Sequence, residues 1–196
     1  MLVDTGSPVS FGDINKIIIE GREFTLSPFI SNVKKFMPEN VVALIGMDII
    51  NNYDVKIEKG TTLVEFSNEF YEDSKNELQL KTAGGLPVFE ADLLNRRVNC
   101  IFDLGAHIPY IESSFTRNLS SVGKANDFNP IIGDINTDLY RIAIYTQTIQ
   151  KELMFGTSSD LDTIFRLYRV QGVVGLEFFS DYTLVLSMRR NRIFLR

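Results

Sequence analysis

The sequence predicts an all-β protein built from two similar lobes, and three observations predict it. A short block, Val3-Asp4-Thr5-Gly6-Ser7, is echoed near the middle of the chain by Phe102-Asp103-Leu104-Gly105-Ala106. The flanks repeat as well. Ala43-Leu44-Ile45-Gly46-Met47-Asp48-Ile49-Ile50 is matched by Gly172-Val173-Val174-Gly175-Leu176-Glu177-Phe178-Phe179. A Tyr-led alternating segment follows each, Tyr53-Asp54-Val55-Lys56-Ile57 and Tyr182-Thr183-Leu184-Val185-Leu186. Third, short segments of period-two apolar alternation, punctuated by Gly and Asn, lie between these blocks and read as strands and hairpins. Recurrence of the whole order marks an internal duplication into lobes.

Taken in order, lobe one covers residues 1–67. Ile17-Ile18-Ile19-Glu20 and Glu23-Phe24-Thr25-Leu26, joined at Gly21-Arg22, form a hairpin. Asp48 to Asn52 is a short helix after the Gly46 turn, and the strand from Tyr53 turns at Lys59-Gly60 to return as Leu63-Val64-Glu65-Phe66. Residues 68–85 are polar and read as a linker. Lobe two covers 86–196. Val88 to Leu93 and Arg97 to Phe102 pair around Asn95-Arg96, and the second strand delivers Asp103. Glu112 to Leu119 is expected as a helix, with Phe115 and Leu119 one turn apart. Tyr140 to Thr148 and Glu152 to Phe155 continue the sheet. The last strand turns at Arg190-Asn191 and returns as Ile193-Phe194-Leu195. Gly12-Asp13-Ile14-Asn15 also recurs, as Gly133-Asp134-Ile135-Asn136.

At 196 residues the chain can bury a sizeable core. No stretch reaches the length of a membrane span, and no basic segment precedes an apolar run at the start, so the expected location is cytoplasmic. A formal net charge of −5 with scattered basic residues argues against a nucleic-acid partner. The run Arg189-Arg190 with Arg192 and Arg196 reads as a solvated turn. Cys100 stands alone, so no intrachain disulfide forms, and its alternating surroundings predict a buried, inert thiol.

An apolar residue, Asp, a gap, Gly and a small residue hold a carboxylate in a tight loop at a strand end. One such loop is uninformative, because Asp and Gly mark ordinary turns. Two loops face to face place Asp4 and Asp103 around one water, the arrangement of a proton-sharing dyad. This order of Asp-Thr-Gly-Ser, strands and an apolar-Gly-x-acidic-apolar block resembles the retropepsin-type aspartic peptidases. The second copy, with Ala106 and Ile111-Glu112-Ser113-Ser114-Phe115, is similar to bacterial retropepsin-like domains, and the pair resembles bacterial proteins that fuse two of them. The resemblance implies a bilobed acid-protease fold with Asp4 and Asp103 at the cleft floor. Thr5, Gly6, Ser7, Leu104, Gly105 and Ala106 form the active-site loops. An extended peptide is the implied substrate, bound under a flap by strand-like pairing. The longer stretch between loop and apolar-Gly block lies in lobe two, so the flap tip is expected at Ile131-Ile132-Gly133-Asp134. No metal or other cofactor is required, and His107 has no part in this chemistry.

Two departures from the family pattern bear on activity. Leu104 occupies the place of a Thr or Ser whose hydroxyl bonds across to the opposite loop, and its loss is expected to leave a donor unsatisfied. Only Met1, Leu2 and Val3 precede Asp4, so lobe one is expected to lack its first strand pair. Three functions follow: an aspartic endopeptidase; a catalytically impaired relative that binds a peptide or partner chain in the groove; and a chain that completes lobe one as an oligomer through strand edges. A monomer with the two lobes paired internally is the expected form, with a dimer as the alternative.

Overall fold

The computed structural model describes residues 1–69, 76–129 and 132–196, and only the backbone at 32, 33 and 36. Lobe one contains β1 (Leu2–Val3), β2 (Phe11–Gly12), β3 (Lys16–Ile19), β4 (Arg22–Thr25) and β5 (Ser27–Pro28), followed by α1 (Ser31–Phe36). It continues with β6 (Ala43–Ile45), α2 (Met47–Ile50), β7 (Asp54–Ile57) and β8 (Val64–Ser67). Lobe two contains β9 (Asn76–Ala83), β10 (Leu86–Leu93), β11 (Arg96–Phe102), β12 (Tyr110–Ile111), β13 (Gly123–Asn129), β14 (Gly133–Tyr145) and β15 (Gln150–Gly156). After these come α3 (Ser159–Tyr168), β16 (Gly172–Val174), β17 (Leu184–Ser187) and β18 (Arg192–Leu195). The all-β, two-lobed architecture expected from the sequence is the one present.

The strand pairings of one lobe recur in the other. β1 lies parallel to β6 as β11 lies parallel to β16. β2 is antiparallel to β6 and parallel to β5, as β12 is antiparallel to β16 and parallel to β15. Both Asp-bearing strands therefore end beside the apolar segment that precedes Gly46 or Gly175. Asp4 N–H donates to Ile45 O at 2.9 Å and Asp103 N–H to Val174 O at 3.1 Å. These residues are apolar because both faces of the central strands are covered: Ala43, Ile45, Phe102 and Val174 are fully buried.

The lobes join through antiparallel β7 and β17, which pair Ile57 with Leu184, Val55 with Leu186 and Asp54 with Ser187. Asp54 is wholly buried at this seam, yet it is fully partnered. Ser187 Oγ donates to it at 2.7 Å, Arg190 at 2.8 Å and Arg189 at 3.1 Å. The two arginines, 26% and 23% exposed, thus close the seam rather than decorate a solvated turn. This corrects the sequence expectation: a buried carboxylate demands compensating cations.

Two further expectations change. Residues 76–83 of the polar linker form β9, paired with both β18 and β10, because Leu78 and Leu80 alternate into the core between exposed polar neighbours. The helix expected over Glu112 to Leu119 is a 3₁₀ turn at Ser113–Phe115 followed by a further turn. Phe115 N–H bonds Glu112 O and Leu119 N–H bonds Thr116 O, both across three residues. Thr116 Oγ1 returns to Ser113 O at 3.2 Å, the local competition that keeps Ser and Thr from extending a helix. The Cys100 thiol is buried, and burial pushes its pKa up to about 12, which keeps it inert.

Candidate active site

Each Asp loop folds on its own carboxylate. Asp4 Oδ1 accepts the Gly6 N–H at 2.8 Å, and Asp103 Oδ1 accepts the Gly105 N–H at 2.7 Å. The loops close with matching backbone bonds, Ser7 N–H to Asp4 O and Ala106 N–H to Asp103 O. They then face each other so closely that a side chain on either glycine would strike the opposite carboxylate. A Cβ on Gly105 would come within 2.9 Å of the Asp4 carboxyl, and one on Gly6 would overlap that of Asp103. Glycine is required here by the approach of the other loop.

Each carboxyl thus lies against the opposite loop, close enough for the two to interact. Burial holds the Asp103 pKa well above the usual carboxylate range, and the neighbouring Asp4 raises it further. The N–H groups of Gly105 and Gly6 favour the charged form and offset this only in part. The structure thus brings together the two aspartates that the sequence singled out.

Thr5 explains how the loops are locked. Its buried hydroxyl donates to Phe102 O at 2.8 Å and accepts the Leu104 N–H at 2.8 Å, so it spans both lobes with both of its bonds made. The Leu104 N–H is therefore satisfied from across the lobes, whereas its lobe-one counterpart, the Thr5 N–H, has no such hydroxyl to bond. Among the described residues no buried side-chain nitrogen or oxygen lacks a partner. Leu104 instead packs against the core. What is lost is the reciprocal pair of bonds, since leucine offers no oxygen to lobe one. Ser7 turns its hydroxyl away from the aspartates, donating to Val9 O at 2.7 Å.

A cleft of about 100 Å³ opens on the dyad and is walled by lobe two. Gly105, Ala106, His107 and Ile108 line it, with Tyr110 and Val173 behind them and Leu161 of α3 at one side. Asp127, Phe128, Asn129 and Ile135 come from the β13–β14 hairpin, whose register runs from Gly123 opposite Leu139 to Asn129 opposite Gly133. Of the expected flap tip, Gly133 and Asp134 begin β14. Ile132 N–H bonds the Asn129 side chain at 3.2 Å, and Ile131 lies outside the described residues. Two larger hollows, of about 180 and 560 Å³, lie away from the aspartates. Among the described residues no three His, Cys, Asp or Glu side chains gather into a metal-binding group. No helix among them is long and apolar enough to cross a membrane.

Sequence reasoning missed Tyr110, Asp127 and Leu161. α3 carried a readable signal, with Leu161, Ile164, Phe165 and Tyr168 at helical spacing. Asp127 carried none, because Lys124-Ala125-Asn126-Asp127-Phe128-Asn129 shows no apolar alternation.

Among solved structures, the chain is similar to the solution structure of the protease of Simian Foamy Virus (mac), at 16% identity and a TM-score of 0.36. The match covers 46% of this chain and 89% of that one. It is also similar to the crystal structure of a retropepsin-like aspartic protease from Rickettsia conorii, at 12% identity and a TM-score of 0.44, covering 64% of this chain and 96% of that one. No family model and no curated protein matches the sequence.

Proposed function

We propose that the protein is an aspartic endopeptidase whose catalytic pair is Asp4 and Asp103. The observation that carries this reading is the pair itself: two carboxyls brought against each other's loop, each held by the N–H of its own loop glycine. In the proposed step the pair holds one shared proton, on Asp103 before reaction, and Asp4 acts as the base. Asp4 takes a proton from a water as the water oxygen bonds to the peptide carbonyl carbon, while the Asp103 proton passes to the carbonyl oxygen. The resulting diol collapses when Asp4 returns its proton to the amide nitrogen. The C–N bond then breaks, and one diol hydroxyl gives its proton back to Asp103. Atoms and charge balance without a metal.

The β13–β14 hairpin is the proposed flap, with its tip at 131–134, and an extended peptide beneath it is the proposed substrate. The repeated pairings support an origin by tandem duplication. Leu104 favours a second reading, a peptide-binding relative with little turnover, because half of the inter-loop bonds lack an oxygen. The discriminating experiment is digestion of a diverse peptide library by the native chain and by Asp103→Asn. Cleavage by the first that is absent from the second is expected. Peptide binding without turnover by the folded native chain would favour the second reading.

A further inference from the structure

Apart from the dyad, the described residues place one more carboxylate in the cleft, and the surroundings of Asp127 set it apart from a surface acid. Its Oδ1 accepts the Phe128 N–H at 2.8 Å and its Oδ2 the Tyr110 hydroxyl at 3.0 Å. A carboxylate has room for about four such bonds, so each oxygen retains an acceptor site. Among the described residues no lysine, arginine or histidine forms an ion pair with it. Tyr110 fixes the carboxylate from below and stays a donor, since burial and the Asp127 charge push its pKa up. Part of the wall is apolar: Ile108, Ile135 and Leu161 are buried side chains that line the same cleft, alongside Asn129 and the dyad. Among the described residues no lysine or arginine lines it, and His107 is the one basic residue at its edge.

An apolar side of a cleft beside a carboxylate is complementary to a long aliphatic stem that ends in a cation. We propose that this cleft takes a lysine or arginine side chain of the bound peptide, with its stem among Ile108, Ile135 and Leu161 and its head at Asp127. Asp127 is then a specificity residue of the proposed substrate groove, and the inference rests on that groove reading. A neutral isostere of lysine lies along that apolar side equally well and leaves the carboxylate without its cation, so discrimination resides in one charged contact. A hydrogen bond to a charged group discriminates by about tenfold or more.

The test uses the Asp4→Asn protein and a set of alanine-based decapeptides. Each position in turn carries lysine, norleucine or glutamate, and binding is measured by calorimetry at neutral pH. Lysine is expected to bind about tenfold more tightly than norleucine at one position. That preference should disappear when Asp127→Asn is added, and Asp127→Lys should turn it into a preference for glutamate. Equal binding of lysine and norleucine at every position overturns the proposal. So does a lysine preference that survives loss of Asp127, or a uniform loss for all peptides in Asp127→Asn and Tyr110→Phe, which would make the pair a mere anchor of the hairpin. Binding is read without turnover, so the two readings fail separately. A lysine preference in a chain that cleaves nothing overturns only the peptidase, and Asp103-dependent cleavage without a preference overturns only the lysine pocket.

Discussion

At Asp103, burial and the charge of Asp4 act in one direction, and this fixes the sign of a pH effect. Its folded-state pKa is raised, so the native chain binds more protons than the unfolded chain between the ordinary carboxylate range and that raised value. Stability from this group is present below the unfolded pKa and is lost as pH rises through the folded one. Asp103→Asn removes the repulsion. Thermal melts across pH should show the variant gaining on the native chain toward neutrality, with a flatter profile. A native chain whose stability rises through that window relative to the variant would contradict the assignment. Thr5 gives the second residue-scale prediction. Thr5→Val strands the Leu104 N–H and the Phe102 carbonyl, and should cost about 1–3 kcal/mol in urea unfolding. Thr5→Ser should cost much less.

Among the elements, the two Asp loops can approach this closely only because two β-carbons are absent. Gly6→Ala drives a methyl into the Asp103 carboxyl. Displacing a reacting group by about an ångström costs about a hundredfold in rate, so cleavage should fall at least that far in a protein that still folds. The loops were legible in the sequence because their chemistry is local: Asp, a gap and Gly fix a turn without help from distant residues. The β13–β14 hairpin was legible only at its glycine. Its descending strand is polar, with no alternation to mark a buried face, and Asp127 becomes meaningful only once folding places it above Tyr110. α3 was written in plain helical spacing, whereas the turn at Ser113–Phe115 looked helical by spacing and was prevented by its own hydroxyls.

Across the whole molecule, the dyad depends on how the lobes are clamped together. The β7–β17 pairing and the buried Asp54 with Ser187, Arg189 and Arg190 form that clamp. Asp54→Ala leaves two partly buried guanidinium groups without their anion and should destabilise the chain by about 3–5 kcal/mol in denaturant titration. Loss of less than about 1 kcal/mol would reduce the network to a surface ornament. The sequence could show that two copies existed but not how they meet. Contacts over 130 positions of chain leave no local pattern, and so Arg189 and Arg190 read as an ordinary charged turn.

The most direct measurement is cleavage of a diverse peptide library between about pH 3 and pH 7.5, a range that brackets titration of a shared-proton pair. It is run on the native chain beside Asp4→Asn and Asp103→Asn, each shown to be folded. Cleavage by the native chain alone, rising and falling with pH, is the predicted result. Cleavage that persists in both variants, or none from the folded native chain, would contradict the account.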